Sequence, residues 1–297
     1  NELIEMKIAI YGKNIESEHI GALKELFSQL EKYRVEVCIY KPLIDYISNK
    51  LSFTPTIHNA YDRPEEIKGK VDFMISLGGD GTFLDSVSFV QESNIPIMGI
   101  NLGRLGFLAT ISIPEMNDAI DLLMAGKYKV EKRSMLEVIS TSNLFTSFPF
   151  GLNDFTMQKS GTSMLKVKTY IDDEYLSTYW ADGLIVSTPT GSTAYSLSVG
   201  GPIVSPNLSA FILSAIAPHN LTVRPFVIPD TSTLKLEATG RDGKVFLSLD
   251  SKSLICDSPL TVTLKKAPFH ANVICLEGTT FYRTLRGKLL WGVDKRS

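Results

Sequence analysis

The sequence predicts an α/β domain built on a parallel sheet, followed by a β-rich, sandwich-like domain. Two observations carry this. Residues 1–126 alternate short β-branched runs with stretches whose apolar residues recur at helical spacing, the pattern of a parallel sheet covered by helices. Beyond Lys127 the apolar period drops to two, as in strands with one buried face. The expected organisation is 1–126 α/β, 127–278 β-rich, and a tail, 279–297, that packs back on the first domain.

In chain order, "KIAIYG" (7–12) reads as the first strand. "ESEHIGALKELFSQLEKY" follows, with Ile20, Leu23, Phe27 and Leu30 on one helical face. "VEVCIY" (35–40), "VDFMISLGG" (71–79) and "IPIMGIN" (95–101) are the next strands, and a helix is expected near Thr82. "SIPEMNDAIDLLMAG" (112–126) reads as a helix with Ser112 at the cap, Pro114 in the first turn and Gly126 at the end. In the second half "SMLEVIS", "MLKVKTYID", "STLKLEATG" and "KVFLSLDS" alternate as strands, with turns at Asp172-Asp173 and at "TGRDGK" (239–244). Phe211 to Ile216 fits a buried strand or a short helix equally. The segment 279–292 is amphipathic.

The 297 residues, 44% hydrophobic and 21% charged, suffice for two domains each with its own core. A formal net charge of -2 provides no field for nucleic acid or an anionic membrane, so an anionic ligand must be held by local groups. No apolar run reaches the roughly 20 residues that span a bilayer. The opening "NELIEMKIAIYG" lacks the order of a signal peptide, and Met6 is the expected native start. Cys38, Cys256 and Cys275 form neither a disulfide framework nor a zinc spacing, so the expected compartment is a reducing cytoplasm. The four histidines show no metal-ligand spacing, and no Ser-His-Asp or Cys-His nucleophile is signalled.

Chemistry concentrates at a few places. "ISLGGDGTFLDS" (75–86) sets Gly78, Gly79 and Gly81 around Asp80 at the carboxyl end of a strand, where α/β folds bind ligands. The glycines admit close approach, and free N–H groups at the start of a helix, near Thr82, suit phosphate. A plain strand-to-helix turn explains the same residues. Neither GxxxxGK[ST] nor a helix-opening GxGxxG occurs. Asp85 in the same stretch reads as a solvated helix residue. "NLGRLGFL" (101–108) places Arg104 after the next strand, against phosphate or in solvent. "GLNDFTMQKSG" (151–161) sets Asn153 beside Asp154. "ADGLIVSTPTGSTAYSLSVGGPIV" (181–204) is rich in hydroxyls and is either an ordered ligand cradle or a mobile surface loop.

Together, GGDGT, NLGRLGFL, the Asn-acidic pair and DGLIVSTPTGSTAYSLSVGGP resemble the ATP-dependent NAD kinases of bacterial type. GGDGT alone is shared with diacylglycerol and sphingosine kinases, so a lipid kinase and a non-catalytic NAD(P) sensor are the alternatives. The resemblance implies phosphorylation of the adenosine ribose 2′-hydroxyl of NAD, with ATP and a divalent cation such as Mg²⁺, in a homodimer or homotetramer. It implies Asp80 as the carboxylate accepting the hydroxyl proton and Gly81 as a main-chain contact. Asn153, Asp154, Asp182, the run Thr193, Ala194, Tyr195, Ser196, Leu197 and Ser198, and Ala217 would bind the dinucleotide. Gly78, Gly79, Thr82, Arg104 and Lys252 are phosphate candidates, and no side chain is assigned to the metal. Three positions depart from the family pattern. Asp154 replaces a Glu and is one methylene shorter, Trp180 stands where some members carry Arg, and Lys252 replaces a Gln.

Overall fold

A computed structural model describes residues 6–13, 15–50, 54–142 and 144–290. The chain forms two compact units, residues 1–131 with 272–297, and residues 132–271.

The first unit is a parallel sheet with helices on it. Its strands are β1 (Lys7–Gly12), β2 (Glu36–Tyr40), β3 (Asn59–Tyr61), β4 (Phe73–Leu77), β5 (Ile97–Asn101) and the short β6 (Ile111–Ser112), and the first five lie in the order β5-β4-β1-β2-β3. Val273, in the strand Leu260–Leu276, pairs in parallel with Ile97. β4 and β5 are buried at every position, which is why they read as continuous apolar runs instead of alternating. Helix α1 (Ile20–Lys32) buries Leu23, Leu26, Phe27 and Leu30. Helix α2 (Lys41–Lys50) and β3 lie in a stretch whose sequence pattern predicts neither. α2 buries only Leu43 and Ile47 deeply, too few positions to stand out as a period.

Helix α3 spans Asp80–Val90 and α4 spans Met116–Met124. α3 begins at Asp80, near the expected Thr82, with Gly79 at its cap. Before α4, Ser112 and Glu115 close a capping box, and Gly126 ends the helix region at φ +69°. The tail contributes a helix, Phe281–Leu289, whose cap Thr280 accepts the Arg283 N–H at 3.1 Å. Its Phe281 ring lies 6.4 Å from that of Phe107. Trp291 and Gly292, the end of the amphipathic segment, lie outside the described residues.

The second unit is antiparallel. β7 (Tyr128–Ile139) pairs with the short β8 (Phe150–Gly151), and β9 (Asp154–Lys159), β12 (Gly183–Ser187), β13 (Ala210–Ile216), β14 (Phe226–Pro229), β16 (Lys244–Leu249) and β17 (Lys252–Asp257) form one sheet in the order β14-β13-β12-β9-β16-β17. β10 (Leu165–Ile171), β11 (Glu174–Ala181), β15 (Leu234–Gly240) and the first part of β18 (Leu260–Leu276) pair as the second, β11-β10-β15-β18. Alternate residues of both sheets, Phe155, Leu184 and Leu247 with Val167, Leu236 and Val262, share one core, the sandwich arrangement. Phe211–Ile216 is strand β13. Lying between β12 and β14 and buried nearly throughout, it shows no alternation, which is why its sequence is ambiguous. None of the described helices is long and apolar enough to cross a membrane.

Candidate active site

In the first unit the GGDG turn leads from β4 into α3. Of its glycines only Gly78 takes a positive φ, +148°. The Asp80 carboxylate reaches the loop after β5. Its Oδ2 accepts the Phe107 N–H at 2.8 Å, and its Oδ1 accepts Leu108 and Ala109 at 3.0 and 2.9 Å. A carboxylate has about four lone-pair sites, so one remains, on Oδ2. "GGDG" and "NLGRLGFL" are therefore one structure. Asn101, which the sequence reading left without a role, braces the loop by accepting the Gly103 N–H at 2.7 Å and donating to the Ala109 carbonyl at 3.3 Å. Arg104 is exposed on this loop.

A hollow of about 300 Å³ opens beside Gly78, Gly79 and Thr82, with Lys13, Glu16, Glu18, His19, Leu102 and Gly103 on its walls. Side-chain atoms of Glu16, Glu18 and His19 that could ligate a cation lie within 4.8 Å of one another, brought together by one turn of chain. His19 and Glu18 are themselves 3.5 Å apart. Asp85 is not simply solvated. It pairs with Lys13 at 2.6 Å and ties the segment after β1 to α3.

In the second unit the ends of β9, β12 and β16 meet. Register places Asp154 opposite Ser187 and Phe155 opposite Leu249. The Asn153 carbonyl accepts the Thr188 N–H at 2.9 Å, and the Thr188 hydroxyl donates to the Leu152 carbonyl at 2.5 Å. A Cβ on Gly191 would collide with the Asn153 backbone, so the TPTG turn lies directly on the Asn-Asp pair. Asp154 is 7% exposed. Burial first, and Asp250 second, push its carboxyl up to about 7. Burial also raises the Asp250 carboxyl, against three amide hydrogen bonds that favour the charge.

The segment 187–204 is ordered by its own hydroxyls. Ser192, fully buried, accepts the Val204 N–H at 2.9 Å, and its single O–H faces the carbonyls of Pro189 and Val204 at 2.7 and 3.2 Å. Thr193 donates to the Thr190 carbonyl at 3.2 Å. Tyr195, Ser196, Leu197 and Ser198 make a single helical turn after Ala194, with Tyr195 37% exposed. The Ser196 hydroxyl lies 3.2 Å from that of Ser214, and Ser214 pairs with Ile185 in mid-strand. Several hydroxyls that the sequence offers to a ligand are thus committed to the loop itself.

Asp182 and Ala217 stand at the other end of β12, where Gly183 pairs with Ile216. Asp182 forms an ion pair with Lys159 at 2.7 Å, and Ala217 is exposed at φ +43°. Asp154 thus lies beside one end of β12 and Asp182 precedes the other, five residues or about 15 Å apart. Lys252 is engaged elsewhere: its ammonium donates to the Phe148 carbonyl at 2.7 Å and lies 4.8 Å from that ring. Trp180 is 42% exposed, with Lys166 over its ring at 5.4 Å.

Two family profiles match the chain: "ATP-NAD kinase N-terminal domain" over residues 8–128 and "ATP-NAD kinase C-terminal domain" over 152–276. An NAD kinase of Cytophaga hutchinsonii is 41% identical over 98% of this chain and 100% of its own length. The chain belongs to the NAD kinase family. An NAD kinase of Flavobacterium psychrophilum is 40% identical, again over 98% and 100%. Among solved structures, a yeast NADH kinase complexed with NADH superposes with a TM-score of 0.84 at 25% identity, covering 97% of this chain and 89% of that one. An Archaeoglobus fulgidus NAD kinase in complex with ATP gives 0.76 at 26%, covering 96% and 99%. Both contain the α/β and antiparallel parts that the NAD kinase sequence pattern predicts.

Proposed function

We infer that this chain phosphorylates NAD to NADP with ATP, and we propose that the acceptor is the adenosine ribose 2′-hydroxyl, with Asp80 receiving its proton. Full-length relatedness to NAD kinases supports the reaction. The observation that supports the role of Asp80 is its fixed carboxylate: three amides orient it and leave one acceptor site on Oδ2. Phosphoryl transfer asks a protein mainly for alignment and charge neutralisation, and in a loose transition state the hydroxyl proton leaves late. Positioning therefore outweighs basicity.

In this reading the exposed amides at Gly79 and Gly81 and the cation of Arg104 meet phosphate oxygens. Asn153, Asp154, Asp182, Tyr195 and the turn around it, and Ala217 hold the dinucleotide along β12. A divalent cation would enter with ATP and offset phosphate charge. The Glu16 and Glu18 carboxylates beside the glycine turn are oxygen donors of the kind Mg²⁺ accepts. The Lys252 ammonium, bonded to the Phe148 carbonyl, orders that loop, and phosphate contact there would require it to turn away.

Assembly as a homodimer or homotetramer in the cytoplasm is part of the same proposal. Its support is the apolar edge of the second unit, where Phe226 and Val227 are 45% and 44% exposed. The deciding experiment is formation of NADP from NAD and ATP-Mg²⁺ by the purified chain, with a diacylglycerol and sphingosine as competing acceptors. Transfer to the lipid, or no transfer at all, would overturn the reading.

A further inference from the structure

We propose that Asp250 is the positioning residue of the dinucleotide-binding pair, setting Asn153 and Asp154 from the turn between β16 and β17. This rests on the binding role assigned above to that pair.

One Asp250 oxygen accepts the Leu152 N–H at 2.7 Å, and the other accepts Asn153 and Asp154 at 2.8 and 3.1 Å. In return the Asp250 N–H donates to the Asp154 carbonyl at 3.0 Å. The Asn153 backbone is thereby held from three directions. Its N–H goes to Asp250, its carbonyl to the Thr188 N–H, and its Cα faces Gly191 with no space between. What remains able to adjust is its side chain, the part that would meet ligand.

Three amides pointing at one spot require an acceptor with no donor of its own. A carboxylate meets that need, whereas an amide side chain would turn an NH₂ group toward at least one N–H. The backbone conformation makes the choice of Asp more telling. Asp250 sits at φ +51°, where glycine or asparagine is the easier residue, and the site bears that cost along with two carboxylates in one buried corner. A turn alone calls for no carboxylate at this position; the three converging amides do.

The test compares Asp250→Asn and Asp250→Gly, both of which accept the positive φ, with Asn153→Ala as control, in the NADP-forming assay. Loss of positioning raises KM for NAD by about 10-fold or more in both Asp250 variants while KM for ATP changes little, since hydrogen bonds to a charged group are lost at one substrate's site only. A purely structural turn predicts the reverse: Asp250→Gly is at least as good as the natural residue, or lowers only the active fraction and hence kcat. An unchanged KM for NAD in the folded Asp250 variants, with a raised one in Asn153→Ala, overturns the inference and leaves the binding role standing. An unchanged KM in Asn153→Ala overturns the binding role of the pair and the inference with it. Should the Asp250 variants not fold, hydrogen exchange of the unaltered chain with and without NAD decides: added protection of the amides of residues 152–154 on NAD binding supports the assignment, and unchanged protection overturns it.

Discussion

The carboxylate of Asp80 occupies the space that a Cβ on Gly106 would need. Gly106 lets the loop close over Asp80, and its own N–H bonds the Ala109 carbonyl at 3.1 Å. Gly106→Ala must therefore displace either the carboxylate or the loop. The expected result is a folded protein whose kcat falls by about 10²-fold, because a displacement near 1 Å at a reacting centre has that scale of effect. Circular dichroism and the NADP assay check it, and near-normal turnover would remove the structural basis for Asp80's role.

Asp80→Asn keeps the shape and loses the proton acceptor. Turnover should fall by about 10² to 10⁴-fold, the usual contribution of a positioned general base. NAD should still bind, as followed by calorimetry. The new NH₂ group replaces one carboxylate oxygen and so faces at least one of the three N–H donors; about 1–3 kcal/mol of stability should also be lost, visible as a lower urea midpoint.

The raised carboxyl of Asp154 makes stability depend on pH. Its folded value, about 7, lies above its ordinary 3.8, so the folded state binds the proton more tightly. The associated stability is complete below about pH 4 and is lost as pH rises through about 7, by at most about 4 kcal/mol for three units. Urea unfolding across pH 4 to 8 should show that decline, and Asp154→Asn should flatten it. Parallel curves for the two proteins would contradict the assignment.

Ser192→Ala removes one hydroxyl that braces both ends of the 189–204 segment. Burying the Val204 N–H without its partner costs about 1–3 kcal/mol. A lower melting temperature and a higher KM for NAD are expected together. A lower melting temperature with KM unchanged would separate the order of this loop from dinucleotide binding.

Much was legible in the chain itself. The apolar runs fix β1, β4 and β5 because a parallel strand is buried on both faces, and the alternation after Lys127 fixes the antiparallel half because one face of each strand is wet. TPTGSTAYSLS stands out because it is longer and richer in hydroxyls than a tight turn requires, whereas GGDG alone fits a plain turn equally and gains meaning only beside it. What only the tertiary structure decided is which of these groups touch. Asp80 lies 27 to 29 residues from the amides that orient it, and Asp250 lies 96 to 98 residues from those it holds. Lys13 finds Asp85 across 72 residues. Periodicity reports which face of an element is buried. It carries no information about which distant backbone amides converge on a carboxylate, since that depends on strand register and loop path, and there the sequence shows only an Asp in a turn.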